Sequence, residues 1–217
     1  MNAKAATSTS SRKKDPRARA MDAAMTMAED RPWASVSLFD IAEKAGLTLA
    51  DIYPVFSSKA AILTGIGEDV DKAVLEAGPP EGDNPRDKLF EMLMRRFDAL
   101  RSDRKAVRSM VRSTLGDPLA LARLGPELAR SMAWMLEAAG VKSSGPMGCL
   151  MVKGLVVAQL IAMRVWLDDD TEDLSKTMAA LDKNLGRADW LMGLCRFVSG
   201  RAPRRKPGSD STAETAA

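Results

Sequence analysis

Ser37 and Thr48 are the hydroxyl residues best placed for contact chemistry. Each precedes a carboxylate by three positions, in Ser37-Leu38-Phe39-Asp40 and Thr48-Leu49-Ala50-Asp51. A hydroxyl with an acid three residues on marks a capped helix start, and a helix start offers unpaired N–H groups to a phosphate. Gly46 lies between the two, where a C-cap glycine closes one helix shortly before the next begins. Two short helices joined this tightly are the sequence form of a helix-turn-helix. The first turn of the second helix, Leu49, Ala50 and Asp51, is then the part offered to a major groove.

Other chemistries are excluded by what the chain lacks. There is no histidine in 217 residues, which removes Ser-His-Asp and Cys-His catalysis, histidine metal sites and histidine proton transfer. The two cysteines, Cys149 and Cys195, form no disulfide framework and no zinc spacing, and both read as packed thiols in apolar stretches. No nucleotide loop or metal cluster stands out, so neither enzymatic activity nor a cofactor is expected. Asp168-Asp169-Asp170 with Glu172 and Asp173 has the charge to hold a cation, but reads better as a solvated loop capping the last helix at its positive end.

Helices must position these residues. Asp15-Pro16 starts the first, with Ala20, Met21, Ala24, Met27 and Ala28 at helical spacing, and Asp30-Arg31-Pro32 ends it. Ser37 opens the second, Thr48 the third, which Pro54 limits, and Ser57 or Ser58 a fourth running to about Glu76. Ala77-Gly78-Pro79-Pro80-Glu81-Gly82-Asp83 is the clearest linker. Asn84-Pro85 starts a helix with a Leu89, Phe90, Leu93, Met94, Phe97 and Leu100 stripe, and helices follow over about 103–114, 117–139, 146–167 and 172–198. Their breaks are placed at Gly116-Asp117-Pro118, Gly125-Pro126, Gly140, Gly145-Pro146 and the acidic run at 168–170. The apolar run Cys149–Val165 is interrupted by Lys153, Gln159 and Arg164, so it reads as a buried helix rather than a membrane span.

Charge is distributed unevenly around a net +3. Residues 1–20 carry Lys4, Arg12, Lys13, Lys14, Arg17 and Arg19 against Asp15 alone, and Arg196, Arg201, Arg204, Arg205 and Lys206 precede the C-terminal tail. Basic ends suit phosphate or anionic lipid. Residues 1–14 read as a flexible basic arm without the apolar region of a secretory signal, and 201–217 as a disordered tail.

Several words of this sequence together resemble the TetR-type DNA-binding domain: Ser37-Leu38-Phe39-Asp40-Ile41-Ala42, Ala45-Gly46-Leu47-Thr48, Ile52-Tyr53, Phe56, Ser58-Lys59 and Ile62-Leu63. The resemblance covers about residues 15–76. It implies an all-α, TetR-like fold, with an N-terminal three-helix helix-turn-helix domain over 15–76, a linker over 77–83, and a helical bundle for ligand binding and dimerisation over 84–200. It also implies that Tyr53 and Lys59 occupy phosphate-contacting positions, which makes Ser37, Thr48, Leu49, Ala50, Asp51, Tyr53 and Lys59 the candidate DNA-contacting set. The sequence departs from the family pattern at Tyr53-Pro54-Val55-Phe56, where the family commonly has Tyr-x-His-Phe, and it has no Lys or Arg between Thr48 and Phe56.

A second resemblance lies in the C-terminal half. Phe90-Glu91-Met92-Leu93-Met94-Arg95-Arg96-Phe97-Asp98, Trp166-Leu167-Asp168 and Thr177-Met178-x-x-Leu181-Asp182 are similar to the TetR-like lipid-binding proteins of ubiquinone biosynthesis, which assist a hydroxylase rather than read DNA. In the last helix Trp190, Leu191, Leu194, Phe197 and Val198 share one face. That face suits either an anionic membrane surface, with Trp190, Leu194 and Phe197 as contacts, or a core or dimer interface, the reading we favour. Methionines such as Met92, Met110, Met132, Met135 and Met163 suit an adaptable apolar pocket or an ordinary core. The reading is therefore a cytoplasmic, homodimeric regulator that binds double-stranded DNA and responds to an apolar small molecule or lipid. The alternative is a lipid-binding accessory protein that keeps the fold and does not read DNA.

Overall fold

A computed structural model gives the architecture. It describes the backbone of residues 15–198, and the side chains of that span up to Arg187. Among the described residues there are nine α-helices and no strand: α1 Pro16–Asp30, α2 Leu38–Ala45, α3 Leu49–Ile52, α4 Lys59–Glu76, α5 Pro85–Ala99, α6 Arg104–Leu115, α7 Pro118–Ala138, α8 Gly145–Leu167 and α9 Ser175–Val198.

Capping chemistry fixes most of these boundaries. The carboxylate of Asp15 accepts from the Arg17 N–H at the start of α1, with Pro16 as the first helical residue. Ser58 accepts from the Ala61 N–H and begins α4. Asn84 accepts from the Asp87 N–H and begins α5. Asp117 accepts from the Leu119 and Ala120 N–H groups and begins α7. The Gly125-Pro126 break does not occur, because α7 runs unbroken through it. Pro126 and Ala122 are both exposed, so water can take the carbonyl that the missing proline N–H leaves free.

Two cores result, and they are not divided at the linker. Ala20, Ala24, Trp33, Ile41, Ile52, Phe56 and Ile62 form the N-terminal core, yet Ala106 and Met110 of α6 complete it. The Ser109 hydroxyl adds to this seam by accepting from the Trp33 N–H at 2.9 Å. The larger core gathers Leu93, Phe97, Met132, Met135, Trp166 and Leu181. Helix α4 enters both, with Ile62 in the first and Val70 and Val74 in the second.

The acidic loop after α8 is not simply solvated. Asp168 and Asp170 are exposed, but Asp169 is fully buried. Its carboxylate accepts from the Thr171 and Thr177 hydroxyls at 2.5 and 2.7 Å, and from their backbone N–H groups at 3.1 and 2.8 Å. Thr177 lies in the first turn of α9, so Asp169 caps that helix from a distance. Arg104 donates to the carbonyls of Trp166 and Asp169, and Arg108 to that of Leu167. The loop tolerates Leu174 at φ 55°, a left-handed conformation costing about 1–2 kcal/mol, with the leucine side chain buried in return.

Burial pushes the Asp169 carboxyl up, but the four hydrogen bonds from Thr171 and Thr177 outweigh it and hold its pKa well below the ordinary carboxylate range. The folded state thus binds its proton less readily than the unfolded chain. The stability this confers is present above an unfolded pKa of about 3.9 and is lost as pH falls below it. Urea midpoints should therefore fall less steeply between pH 5 and pH 3 in Asp169→Asn than in the parent. Parallel pH profiles for the two proteins would refute this.

Two further placements differ from the sequence reading. Cys149 is exposed rather than packed, while Cys195 lies outside the described side chains. Helix α8 is buried on one side only: Leu155, Ala158, Gln159, Ala162 and Trp166 face inward, whereas Leu150, Val157, Leu160 and Ile161 are exposed. By length and composition α8 is apolar enough to cross a membrane, but the same composition arises in a helix with one face in a core and the other against a partner.

Candidate nucleic-acid interface

The helix-turn-helix is assembled by two reciprocal caps and one arginine. Ser37 accepts from the Asp40 N–H at 3.1 Å while Asp40 accepts from the Ser37 N–H at 2.8 Å. Thr48 and Asp51 repeat the arrangement at 3.2 and 2.8 Å, and the Thr48 hydroxyl also donates to Asp51 at 2.7 Å. Between them Gly46 adopts φ 62°, with Leu47 N–H bonded to Ala42 O at 2.8 Å and Gly46 N–H to Glu43 O at 3.0 Å, a Schellman closure. The Arg19 guanidinium then donates to the carbonyls of Ala45 and Gly46, at 2.6 and 3.0 Å, and holds the turn against α1.

These bonds decide what is left to face outward. Ile52 and Phe56 anchor α3 in the core, at 1% and 4% exposure. Leu49, Ala50, Asp51 and Tyr53 are exposed, Tyr53 the most at 80%. Phe39 of α2 is also exposed, at 63%, as is Val55. The surface around α3 is thus short, apolar in part, and free of internal packing. Asp51 is engaged as a cap: the Thr48 N–H and hydroxyl hold its carboxyl below the ordinary range, with Arg19 adding a weaker attraction. That use explains an acid on the outward turn.

Lys59 sits differently from a free surface cation. Its ammonium donates to the carbonyls of Trp33 and Val36 at 2.6 and 2.7 Å, and lies 4.6 Å from the centre of the Trp33 ring. Burial, then the nearby Arg31, draws its pKa down, while Asp40 opposes this. Lys59 therefore ties the start of α4 to the connector that leads into α2. Two arginines of the basic N-terminal stretch also work internally. Arg17 pairs with Asp69 at 2.9 Å and donates to Gly65 O at 3.2 Å, and Arg19 holds the turn. Sequence reasoning missed both, since each partner lies 26 or more residues away.

The charge of this unit follows. Residues 15–76 contain eleven Asp and Glu against six Lys and Arg, whereas residues 1–14 contain four Lys and Arg and no acid. Lys44, exposed at the end of α2, is the cation nearest the turn that makes no contact described above. Of the membrane-contact candidates, Trp190, Leu194 and Phe197 lie outside the described side chains. Among the described residues no group of acidic or cysteine side chains is arranged to hold a metal ion.

Residues 20–66 match the model of the bacterial regulatory proteins of the tetR family. No curated protein matches the chain. Among solved structures, a TetR transcriptional regulator from Nitrosomonas europaea is similar over 80% of this chain and 98% of its own, with a TM-score of 0.64 and 24% identity. A TetR transcriptional regulator from a Rhodococcus species is similar over 82% of this chain and 96% of its own, with a TM-score of 0.59 and 20% identity. A putative TetR-family regulator, also from Rhodococcus, covers 82% of this chain at a TM-score of 0.54 and 18% identity. The double-capped helix-turn-helix thus lies within a stretch that matches the tetR-family model, and the helices around it have a fold similar to that of solved TetR regulators.

Proposed function

We propose that this protein is a DNA-binding transcriptional regulator, working as a homodimer in the cytoplasm and responsive to an apolar small molecule. The observation that carries the reading is the outward first turn of α3: Leu49, Ala50 and Tyr53 are exposed while Ile52 and Phe56 lock the helix from behind. In this reading Leu49 and Ala50 meet base edges, and Tyr53 with the helix starts at Ser37 and Thr48 meets phosphates. Lys59 contributes by fixing the connector before α2. Because residues 15–76 are acidic overall, non-specific attraction comes from Lys4, Arg12, Lys13 and Lys14 of the arm.

Ligand response is supported by a pocket of about 860 Å3 between α4 and the helices of the C-terminal half. Leu63, Ile66 and Val70 of α4 line it, as do Val107 and Met110 of α6. Both helices also contribute to the N-terminal core, so an occupant that moves them alters the setting of α3. The exposed apolar face of α8 supports pairing with a second copy.

Gel retardation with the chain's own upstream DNA tests the core of this reading. Affinity should fall steeply with salt, and deleting residues 2–14 should reduce the salt slope by up to about 3–4 for each protomer. Tyr53→Ala should weaken all fragments about equally, whereas changes at Leu49 or Ala50 should alter which fragments bind. Failure to retard any genomic fragment at about 50 mM salt would overturn the proposal.

A further inference from the structure

The pocket between α4, α5, α6, α7 and α8 is walled mainly by leucine, valine and methionine; Glu68, Lys72, Glu76, Glu127 and Arg130 also line it, but they are solvent-accessible and pair among themselves, and the buried polar groups are few. Gln159 of α8 is 2% exposed and lines the space, yet neither its amide oxygen nor its amide nitrogen has a partner. Arg96 of α5 lines the same space at 6% exposure. One of its nitrogens pairs with Asp71 of α4 and donates to the Ser131 hydroxyl at 2.9 Å, while its Nε–H is unpartnered. Buried polar groups left unpaired are costly and uncommon in folded proteins. Two of them on one cavity wall describe a complement: a group that accepts from N–H and donates to C=O.

Charge narrows the class. Arg96 and Asp71 already neutralise each other. An anion accepting from the free Arg96 Nε–H would place a second negative charge beside Asp71 on a guanidinium that one carboxylate already neutralises. A cation seated on Asp71 would strand the guanidinium. A neutral head disturbs neither partner.

We infer that the cavity takes an uncharged molecule with an extended apolar body and one polar end carrying both a hydrogen-bond donor and an acceptor. A primary amide and an alcohol are the simplest examples. Gln159 reads the polar end on both sides, and the Arg96 Nε–H supplies a second donor. The leucine and methionine walls hold the body without directional contacts. This inference rests on the ligand-responsive half of the proposed function and adds the chemistry of the ligand.

Calorimetric titration of the full chain with a matched ten-carbon series tests it. The probes are decanamide and 1-decanol, each below its solubility limit, and decanoate and decyltrimethylammonium, each below its micellar concentration, at neutral pH. Decanamide and 1-decanol should bind on the order of tenfold or more tightly than either ion. Gln159→Met, which keeps the volume and removes the amide, should abolish that preference. Its melting temperature should be no lower than the parent's, which reports that it folds. Tighter binding of decanoate or of the ammonium would overturn the inference, as would equal binding of all four or an unchanged preference in Gln159→Met. Equal binding would still leave an apolar ligand site in place. No binding by any probe would overturn both the inference and the ligand-responsive half of the proposed function, whereas DNA retardation would be unaffected.

Discussion

Asp71→Asn should destabilise the fold by about 3–5 kcal/mol, the usual effect of removing one member of a buried ion pair. Arg96 stands in a largely apolar wall with 8% of its side chain exposed, against 16% for Asp71. Burial draws the guanidinium pKa down to about 10, so it remains cationic at neutral pH and needs a counter-charge. Asparagine fills the space and can still accept a hydrogen bond, but supplies no charge. The Ser131 hydroxyl remains as a neutral partner and does not replace the carboxylate. Urea unfolding at neutral pH measures the loss. The control is Asp71→Leu combined with Arg96→Met, which removes both charges and should recover most of the stability. If the single substitution proves as mild as the double, the pair has been misjudged.

The second large effect concerns assembly. Val157 and Ile161 lie one turn apart on the outer face of α8, at 55% and 40% exposure. Aspartate at both positions should leave the fold intact, since neither belongs to a core, and should turn the proposed dimer into a monomer by sedimentation. Affinity for an operator with two half-sites should fall by about a hundredfold or more, because linkage of two reading heads makes the second contact effectively intramolecular. A variant that still sediments as a dimer would place the interface elsewhere. One that sediments as a monomer but binds DNA as before would show that a single head suffices.

Local chemistry explains which parts were legible in the sequence. Asp15-Pro16, Ser37, Gly46, Thr48 and Ser58 each act within four residues of their own position, so the caps of α1 to α4 could be read directly. The helix-turn-helix needs little beyond those caps. Lys59 could not be read in the same way. The resemblance implies a phosphate-contacting position for it, while its ammonium meets carbonyls 23 and 26 residues upstream. Asp169 looks like its neighbours Asp168 and Asp170 in a one-dimensional view, and only the return of Thr177 separates a buried cap from a solvated acid. Gly125-Pro126 carries a strong breaking signal, and α7 overrides it where the exposed side of the helix can be hydrated. In the sequence Gln159 interrupts an apolar run. Its meaning appears once the cavity wall is assembled around it from five helices.

The seam that Ala106, Met110 and Ser109 make with the N-terminal core limits how the protein can be dissected or recombined. A fragment cut after Glu76 would present the apolar underside of α1 and Trp33 to water, and would be prone to aggregate. A chimera that transplants this helix-turn-helix unit onto a different helical bundle must bring α6 with it, or redesign the surface that α6 covers. Exchange of such units between proteins is constrained in the same way: changes in α1 and α6 must be matched to one another, although residues 31–103 separate them along the chain.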